Sequence, residues 1–186
     1  MEALIFNLKL NSLFSIRVPF TWQSALTYPI LPPSSIIGLL ANALQRHKND
    51  THPLEYLKLL EDEIFWAGSR LLTPCLIKSY TTSAITKFEV KIGGKSTNAL
   101  VREYGFVREF QIIVIFNEKV PEFLIPALIS TPLTCGDSES SCFVENKPEV
   151  VEVEEIEIKN CEGTRILNEV GRYNGCLLYT SPSPRD

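Results

Sequence analysis

We consider four side chains of this sequence as candidate general acids or bases, and they fall in two places. His47 and His52 lie close together, whereas Lys95 and Tyr104 follow the pair Gly93-Gly94. Imidazole, ammonium and phenol groups transfer protons well when their pKa lies near the working pH. Nothing in the sequence indicates the unusual burial that would make Lys95 basic. We therefore expect each histidine to be a surface or capping residue, and we predict no catalytic residue.

The carboxylates and thiols show no spacing typical of a metal site. Asp137 and Glu139 could be read as metal ligands, but we interpret them as groups that order a turn or pair with arginines of a partner. The 5 cysteines contain no Cys-x-x-Cys pair, which favours buried or free thiols in a reducing compartment. No Walker loop is present. We predict a cytoplasmic protein with no metal, cofactor or small-molecule substrate.

The charged residues are unevenly distributed, although the formal net charge is only −4. Residues 70–108 contain seven basic and two acidic side chains, whereas residues 118–169 contain twelve acidic and four basic ones. A locally basic segment can follow a phosphate backbone even in an acidic protein. A solvated surface is the alternative interpretation of each charge cluster.

The two ends of the chain bear on its organisation. The start lacks the basic region of a signal peptide, and no stretch has the roughly 20 apolar residues of a membrane span. Residues 176–186, CLLYTSPSPRD, match a translated sequencing-library adapter, so we treat them as non-native. We expect the natural sequence to end near Gly175 and residues 1–175 to form one domain.

Hydrophobic periodicity in the first half predicts a strand followed by two helices. A period of two predicts a long strand over residues 4–18, with a bend near Asn11-Ser12. A helix is predicted over 34–46, with Ser34 and Ser35 as its N-cap. A second helix is predicted from Pro53 to about Ala67.

The second half predicts a β-hairpin, a short helix and a final strand. Residues 75–91 look extended and reach a Gly-Gly turn. The return arm, 103–116, is apolar on both faces near its end, which is typical of a central strand. A short helix follows over 121–129, where Pro126 should kink it or delay its start. The last strand, 150–158, slips phase at Glu154-Glu155 as in a β-bulge. This order predicts an α+β, ferredoxin-like or RRM-like sandwich with an extended hairpin.

Four stretches of the sequence resemble a known family. They are FSIRVPF, YPILPPSSIIGLLANAL, REFQIIVIF and CGDSESSCFVE, at residues 14–20, 28–44, 108–116 and 135–145. They resemble the RAMP-superfamily subunit that caps the 5′ end of the guide RNA in type I CRISPR effector complexes (Cascade). This is the Cas-five family, and its archaeal subtype I-A branch is the most similar. The resemblance covers about residues 2–160, but the glycine-rich loop that RAMP proteins carry near the C-terminus has no match after Cys161.

The resemblance implies which residues contact RNA. It implies that the hairpin, about residues 78–108, is the thumb that folds over a nucleotide at the handle–spacer junction. Lysines beside a glycine turn can contact phosphates without reading sequence. The expected RNA-binding residues are Arg17, Ser34, Ser35, Gly38, Lys78, Lys87, Lys91, Lys95, Arg102 and Arg108. A family motif or partner contact is expected at Gly136, Asp137, Ser138 and Glu139.

The resemblance implies a noncatalytic subunit that binds the 5′ handle of the crRNA and caps the backbone of the complex. Its partners would be a repeating backbone RAMP subunit and a large subunit, and the acidic final strand would face one of them. Two alternatives remain open. One is a RAMP endoribonuclease that processes repeat RNA with His47, Lys95 or Tyr104. The other is an α+β interaction module that never binds RNA.

Overall fold

The computed structural model describes residues 1–20, 24–85, 97–136 and 140–154, and these ranges form two sheets and a helix layer. The strands are β1 Glu2–Leu10, β2 Ser24–Ala25, β3 Ile64–Leu71, β4 Leu76–Ile85, β5 Thr97–Phe106, β6 Glu109–Phe116, β7 Leu133–Thr134, β8 Ser141–Val144 and β9 Glu149–Glu152. The helices are α1 Pro33–Lys48, α2 Pro53–Glu63 and α3 Leu124–Ser130.

The larger sheet has the strand order of a ferredoxin-like fold. Its order is β3-β6-β1-β8-β7, and β9 pairs with the first residues of β1, whereas β8 pairs with the last ones. Strand β1 is antiparallel to β6, and β6 is antiparallel to β3. Helices α1 and α2 therefore connect two parallel strands that have β6 between them, and α3 likewise connects β6 to β8 across β1. This interleaving confirms the predicted α+β, ferredoxin-like class.

The core lies between this sheet and the helices. Alternate residues of β1 and β6 are buried, and Leu4, Leu8, Phe110 and Phe116 have no exposed surface. The period-two alternation of both strands places these side chains on one face of the sheet. Strand β6 is central, as predicted, but its second face is only half-buried at Ile113 and Ile115.

The smaller sheet is the predicted hairpin with one added strand. Strands β4 and β5 pair antiparallel without a break, from Leu76 opposite Phe106 to Ile85 opposite Thr97. The short β2 pairs parallel with the other edge of β5. The extended hairpin is thereby confirmed, whereas its predicted turn at residues 91–95 lies outside the described residues.

Phe14 joins the hairpin to the body of the protein. Its backbone N–H donates to the Gly105 carbonyl at 3.0 Å, and the Gly105 N–H donates back at 2.8 Å. Its ring is fully buried and meets the ring of Phe110 edge-to-face, with centroids 5.5 Å apart. A Cβ atom on Gly105 would lie 2.5 Å from the Phe14 ring. The joint therefore requires glycine in the hairpin and an aromatic ring in the core.

The predicted strand over 4–18 is two separate extended segments. Strand β1 ends at Leu10, and the chain then leaves the larger sheet and pairs with Gly105 of the smaller one. Phe14 and Ile16 continue the buried alternation. A sequence period of two therefore persists although the hydrogen-bonding partner changes.

The second helix is shorter than predicted. It ends at Glu63, and residues predicted as its last turn form β3 instead. Pairing of Ile64–Leu71 with the central strand β6 outweighs the helical periodicity, and aromatic residues such as Phe65 and Trp66 favour strands. Helix α3 begins at Leu124, so the predicted delay near Pro126 is confirmed. Pro126 is in the first turn, where the missing N–H has no intrahelical partner.

The predicted arm over 103–116 is divided between the two sheets. The Thr73 hydroxyl accepts the N–H groups of both Arg108 (3.1 Å) and Glu109 (3.2 Å) where β5 gives way to β6. Strands β7 and β8 were not predicted. Of the predicted strand over 150–158, the structure describes the part in β9, Glu149–Glu152. The predicted bulge falls partly outside the described residues.

Gly105→Ala should destabilise the protein by about 1–3 kcal/mol, the usual cost of overpacking a core. The Phe14 ring has no room to retreat because it is buried against Phe110. Gly38→Ala is the matched control, and it should stabilise by up to about 1 kcal/mol because the site is helical. A Cβ at Gly38 would meet nothing within 4 Å. Urea unfolding measures both changes.

A double-mutant cycle separates this contact from a general effect on the strand. In a Phe14→Ala background the added methyl group has space, so Gly105→Ala should cost much less than in the parent. An equal cost in both backgrounds would show that the Phe14 ring is not the obstacle.

Candidate nucleic-acid interface

The two faces of the hairpin differ in chemistry. Residues directly opposite each other in an antiparallel pair have side chains on the same face. Lys78 is opposite Tyr104, and Tyr80 is opposite Arg102, so these four side chains share one face with the terminal pair Leu76 and Phe106. We call these six residues the outer face, because the other face contains Gly105, which Phe14 covers.

The outer face combines aromatic rings with basic groups. The rings of Tyr80 and Tyr104 meet edge-to-face, with centroids 5.8 Å apart at an interplanar angle of 72°. The guanidinium carbon of Arg102 lies 5.0 Å from the centroid of the Tyr104 ring, which is within cation–π range. Lys78 is exposed, and Tyr80 is 48% exposed. Such a surface can contact phosphates and can also stack on flat groups.

The opposite face holds Glu103, the one acidic residue within the described strands β4 and β5. Glu103 lies on the face turned away from Lys78 and Tyr104, and its carboxylate accepts the Thr27 N–H at 3.1 Å and the Ser79 hydroxyl at 3.4 Å. The Ser15 hydroxyl donates to the Glu103 carbonyl at 2.9 Å and accepts from Arg102 Nε at 3.3 Å. These bonds fix the arm β5 against the core and direct the carboxylate away from the outer face.

The structure places the predicted basic residues on and around the hairpin. Lys78 and Arg102 lie one register pair apart on the outer face. Arg17 is exposed, and its backbone forms an isolated β-bridge with Thr27, whose N–H donates to the Glu103 carboxylate. Arg108 is exposed where the chain passes from β5 to β6. Lys87, Lys91 and Lys95 lie outside the described residues.

The predicted serines lie in the helix layer instead, at the start of α1. Ser34 is exposed, and Ser35 and Gly38 are partly buried. The predicted N-cap is wrong, because the N-cap position is Pro32 and neither serine occupies it. Pro33 has the backbone angle of a first helical residue and lacks the N–H that a cap would satisfy, so the helix begins earlier. Among the described residues no side chain caps this end, and its first turn holds no acidic residue.

Gly136 of the predicted motif has an internal role. It has a positive φ of 79°, and a Cβ there would lie 2.4 Å from Cγ1 of Ile16. The Cys135 N–H donates to the Ser140 carbonyl at 2.8 Å, and the buried Ser140 hydroxyl donates to the Leu13 carbonyl at 2.8 Å. The ends of this loop therefore hold the segment that joins the hairpin. Asp137, Ser138 and Glu139 lie outside the described residues.

The two histidines lie in the helix layer, away from the hairpin. Nδ1 of His52 accepts the Leu54 N–H at 3.3 Å and so caps α2. Nδ1 of His47, in the last turn of α1, lies 3.0 Å from the Ser130 hydroxyl. Tyr104, the other described member of the acid–base set, lies on the hairpin. The structure therefore does not bring these groups together.

The comparison with protein families decides the family. Residues 5–124, well over half of the chain, match the family described as CRISPR-associated protein (Cas_Cas5). The chain belongs to the Cas5 family. This confirms the resemblance to the Cas-five family that was noted in the sequence. Comparison with curated proteins gave no match.

Solved CRISPR structures share the fold of this Cas5-family chain. A CRISPR protein from Archaeoglobus fulgidus aligns with a TM-score of 0.50 at 16% identity, over 82% of this chain and 65% of its own. A chain of the type III-B Cmr-beta complex bound to cognate target RNA and AMPPnP aligns with a TM-score of 0.50 at 12% identity, over 85% of this chain and 66% of its own. At these identities the likeness concerns the fold alone. The present chain spans about two thirds of the length of both.

The aromatic part of the outer face of this Cas5-family hairpin was not predicted from the sequence. Tyr104 was considered only for proton transfer, and Tyr80 was not singled out. The signal was present, because Lys78-x-Tyr80 and Arg102-x-Tyr104 each place a basic and an aromatic residue on the same face of a strand. Recognising the shared surface required the register between the strands, which brings the two three-residue patterns together.

The Cas5-family chain also has a cleft at the N-terminal end of β1, which we call the acidic cleft. The cleft has a volume of about 780 Å³ and is lined by six carboxylates with Lys119 and the N-terminus: Glu2, Asp62, Glu63, Glu118, Glu152 and Glu154. Burial, and then the nearby carboxylate of Glu118, raise the pKa of Glu63 above its usual value. One carboxylate oxygen of Glu63 is buried without a hydrogen-bond partner among the described residues.

Two structural findings apply to the described residues alone. Within 1–20, 24–85, 97–136 and 140–154, no three His, Cys, Asp or Glu side chains, those of the acidic cleft included, are placed so that they could hold a metal ion. In the same ranges no helix is both long enough and apolar enough to cross a membrane.

Glu63→Gln should raise stability at neutral pH and have no such effect in acid. The pKa of Glu63 is higher in the folded than in the unfolded protein. The contribution of Glu63 to the free energy of unfolding is therefore greatest below the unfolded pKa, about 4.3. It falls as the pH rises through the folded pKa. Glutamine is neutral throughout and removes this loss. Urea midpoints at pH 7 and in acid measure the difference.

Glu55→Gln is the matched control for that experiment. Glu55 lies in the first turn of α2, where the helix dipole favours a negative charge. Its replacement should not raise stability at pH 7. A gain at both positions would show that net charge, and not the environment of Glu63, determines the response.

Proposed function

We propose that this chain is the noncatalytic subunit of a type I CRISPR effector complex (Cascade), resembling subtype I-A, that binds the 5′ handle of the crRNA and caps the backbone of the complex. The observation that carries the proposal is the outer face of the hairpin, which combines Lys78 and Arg102 with two tyrosines and holds no carboxylate. Membership of the Cas5 family supports it. The thiols suit a reducing compartment, and we propose the cytoplasm.

The basic residues contact the RNA backbone in this proposal. Lys78 and Arg102 lie on one face of the hairpin, and Arg17 and Arg108 flank the same small sheet. Phosphate contacts of this kind hold an RNA in place but carry no sequence information. Lys87, Lys91 and Lys95 would extend the contact toward the turn.

A noncatalytic role is favoured over cleavage of repeat RNA. Of the three candidate acid–base residues, His47 is in α1 and Tyr104 is in β5. A general base must lie within hydrogen-bond reach of the proton that it takes, directly or through one water. We propose binding without cleavage. Metal-independent cleavage of repeat RNA that disappears on changing His47, Lys95 or Tyr104 would establish the enzyme instead.

Replacing Lys87, Lys91 and Lys95 by alanine should weaken RNA binding at all sequences and reduce its salt dependence. For a single strand, removing one lysine–phosphate interaction lowers the slope of log K against log salt by about 0.7. The matched control replaces Lys58, Lys119 and Lys147, which are exposed and away from the hairpin. Fluorescence anisotropy with a labelled repeat RNA at several salt concentrations measures both.

The salt dependence of RNA binding tests whether these lysines contact phosphate. Equal slopes for the two triple variants would show that the turn lysines do not contact phosphate. No binding by the parent protein at low salt would favour the second alternative, an α+β interaction module that does not bind RNA.

We further propose that a basic surface of a partner subunit meets the acidic cleft. The partners in this proposal are a repeating backbone RAMP subunit and a large subunit. Carboxylates repel phosphates, so RNA avoids the cleft, whereas a basic protein surface complements it. Glu152 and Glu154 are exposed at its edge.

Glu152→Lys with Glu154→Lys should leave RNA affinity unchanged or raise it, and it should reduce co-purification with the partner subunits. Reversing these charges makes the cleft edge repel a basic surface. Glu55→Lys with Glu122→Lys changes the net charge equally at exposed sites outside the cleft. Assembly of the first variant as complete as that of this control would mean that the acidic edge is only a solvated surface.

A further inference from the structure

The outer face of the hairpin exposes more aromatic and apolar surface than phosphate binding requires. Phe106 is 55% exposed, Leu76 is 64% exposed and Tyr80 is 48% exposed. These side chains belong to three successive same-face pairs, Leu76 with Phe106, Lys78 with Tyr104 and Tyr80 with Arg102. A contiguous exposed apolar patch generally marks a binding surface.

The tyrosines are arranged so that one ring supports the other. The Tyr104 ring is partly buried, with the Arg102 guanidinium 5.0 Å from its centroid and the Tyr80 ring at its side. The Tyr80 ring stands at 72° to it and stays half-exposed. Arg102 Nε also donates to the Ser15 hydroxyl, so the guanidinium is held by the segment that carries Phe14. The rings are therefore preorganised.

The charges on this face specify the kind of occupant. Lys78 and Arg102 flank the rings. Glu103, the one acidic residue within the described strands β4 and β5, points to the other face and is hydrogen-bonded there. Aromatic rings interleaved with cations bind single-stranded nucleic acid, because the bases stack on the rings while the cations follow the phosphates. Stacking is tolerant of sequence, since every base has a π-face.

We propose that Tyr80, backed by Tyr104, stacks an unpaired base of single-stranded RNA on the paired arms of the hairpin, while Lys78 and Arg102 contact the adjoining phosphates. This rests on the proposed RNA-binding function and adds a base-stacking subsite distinct from the hairpin turn. Side chains two residues apart on one strand face lie about 7 Å apart. Phe106 therefore extends the apolar surface beside Tyr104 toward a second base.

The test uses the full chain and a single-stranded RNA that contains the fluorescent base 2-aminopurine. Stacking on a ring quenches this base, and anisotropy of an end label gives the affinity. Tyr80→Val with Tyr104→Val removes both rings and keeps strand propensity. Its affinity should fall about tenfold or more, since stacking on one ring contributes roughly 1–3 kcal/mol and each 1.4 kcal/mol is tenfold. The quenching should disappear.

Two further variants make the result specific. Tyr80→Phe with Tyr104→Phe keeps the rings, so its affinity should stay within about twofold of the parent and the quenching should persist. Lys78→Ala should lower the salt slope by about 0.7 and keep the quenching. The valine variant should leave the salt slope unchanged, because it removes no charge. Circular dichroism and urea midpoints confirm that all three variants are folded.

The outcomes distinguish this subsite from the general function. If the valine variant binds with parental affinity and quenching, the subsite is wrong while RNA binding stands. If that variant binds RNA normally but no longer co-purifies with partner subunits, the outer face is a protein interface and the subsite is again wrong. If the parent binds no RNA at low salt, the subsite and the proposed function both fail.

Discussion

The contact between the Phe14 ring and Gly105 joins the hairpin to the main core of the molecule. The ring lies in the main core against Phe110, and the space that it fills on the hairpin exists because residue 105 has no side chain. The backbone groups of the same two residues exchange two hydrogen bonds. One residue thus packs on the large sheet and pairs with the small one. The orientation of the hairpin, and of every group on its outer face, follows from this joint.

Supporting contacts converge on the segment that carries Phe14. Ile16 packs against Gly136, Ser15 bonds to the Glu103 carbonyl, and the Leu13 carbonyl accepts the Ser140 hydroxyl. The loop that begins at Gly136 and the arm β5 are therefore both attached to residues 13–16. This accounts physically for the joint occurrence of two motifs that lie far apart in the sequence, one around Phe14 and the other around Gly136.

The local hydrophobic pattern predicted most helices and strands by type. It failed where the strand with which a segment pairs decided the structure. The central strand β6, helix α1 and the hairpin arms are visible in apolar periodicity and in the Gly-Gly turn. The end of α2 was wrong because Ile64 and the residues after it gain more by pairing with β6 than by extending the helix. The split after Leu10 was predicted only as a bend near Asn11-Ser12, because alternation records burial and not which sheet a strand joins. For the candidate site, the basic residues were visible in the sequence, whereas the grouping of Tyr80 and Tyr104 depends on strand register.

The hairpin is a separable module in this architecture. Attachment of β5 to the body begins at Gly105, which pairs with Phe14, and continues through Glu103 to Val101, where β2 pairs with it. Beyond Val101 the described parts of the two arms pair with each other. Residues can therefore be inserted or removed in matched pairs at the far end without altering the packing of the core. The length of the hairpin and the residues on its surface can therefore vary with little effect on the stability of the core. The same fold can thus bind ligands of different length. The joint, in contrast, tolerates little variation, because Gly105 and Phe14 must change together.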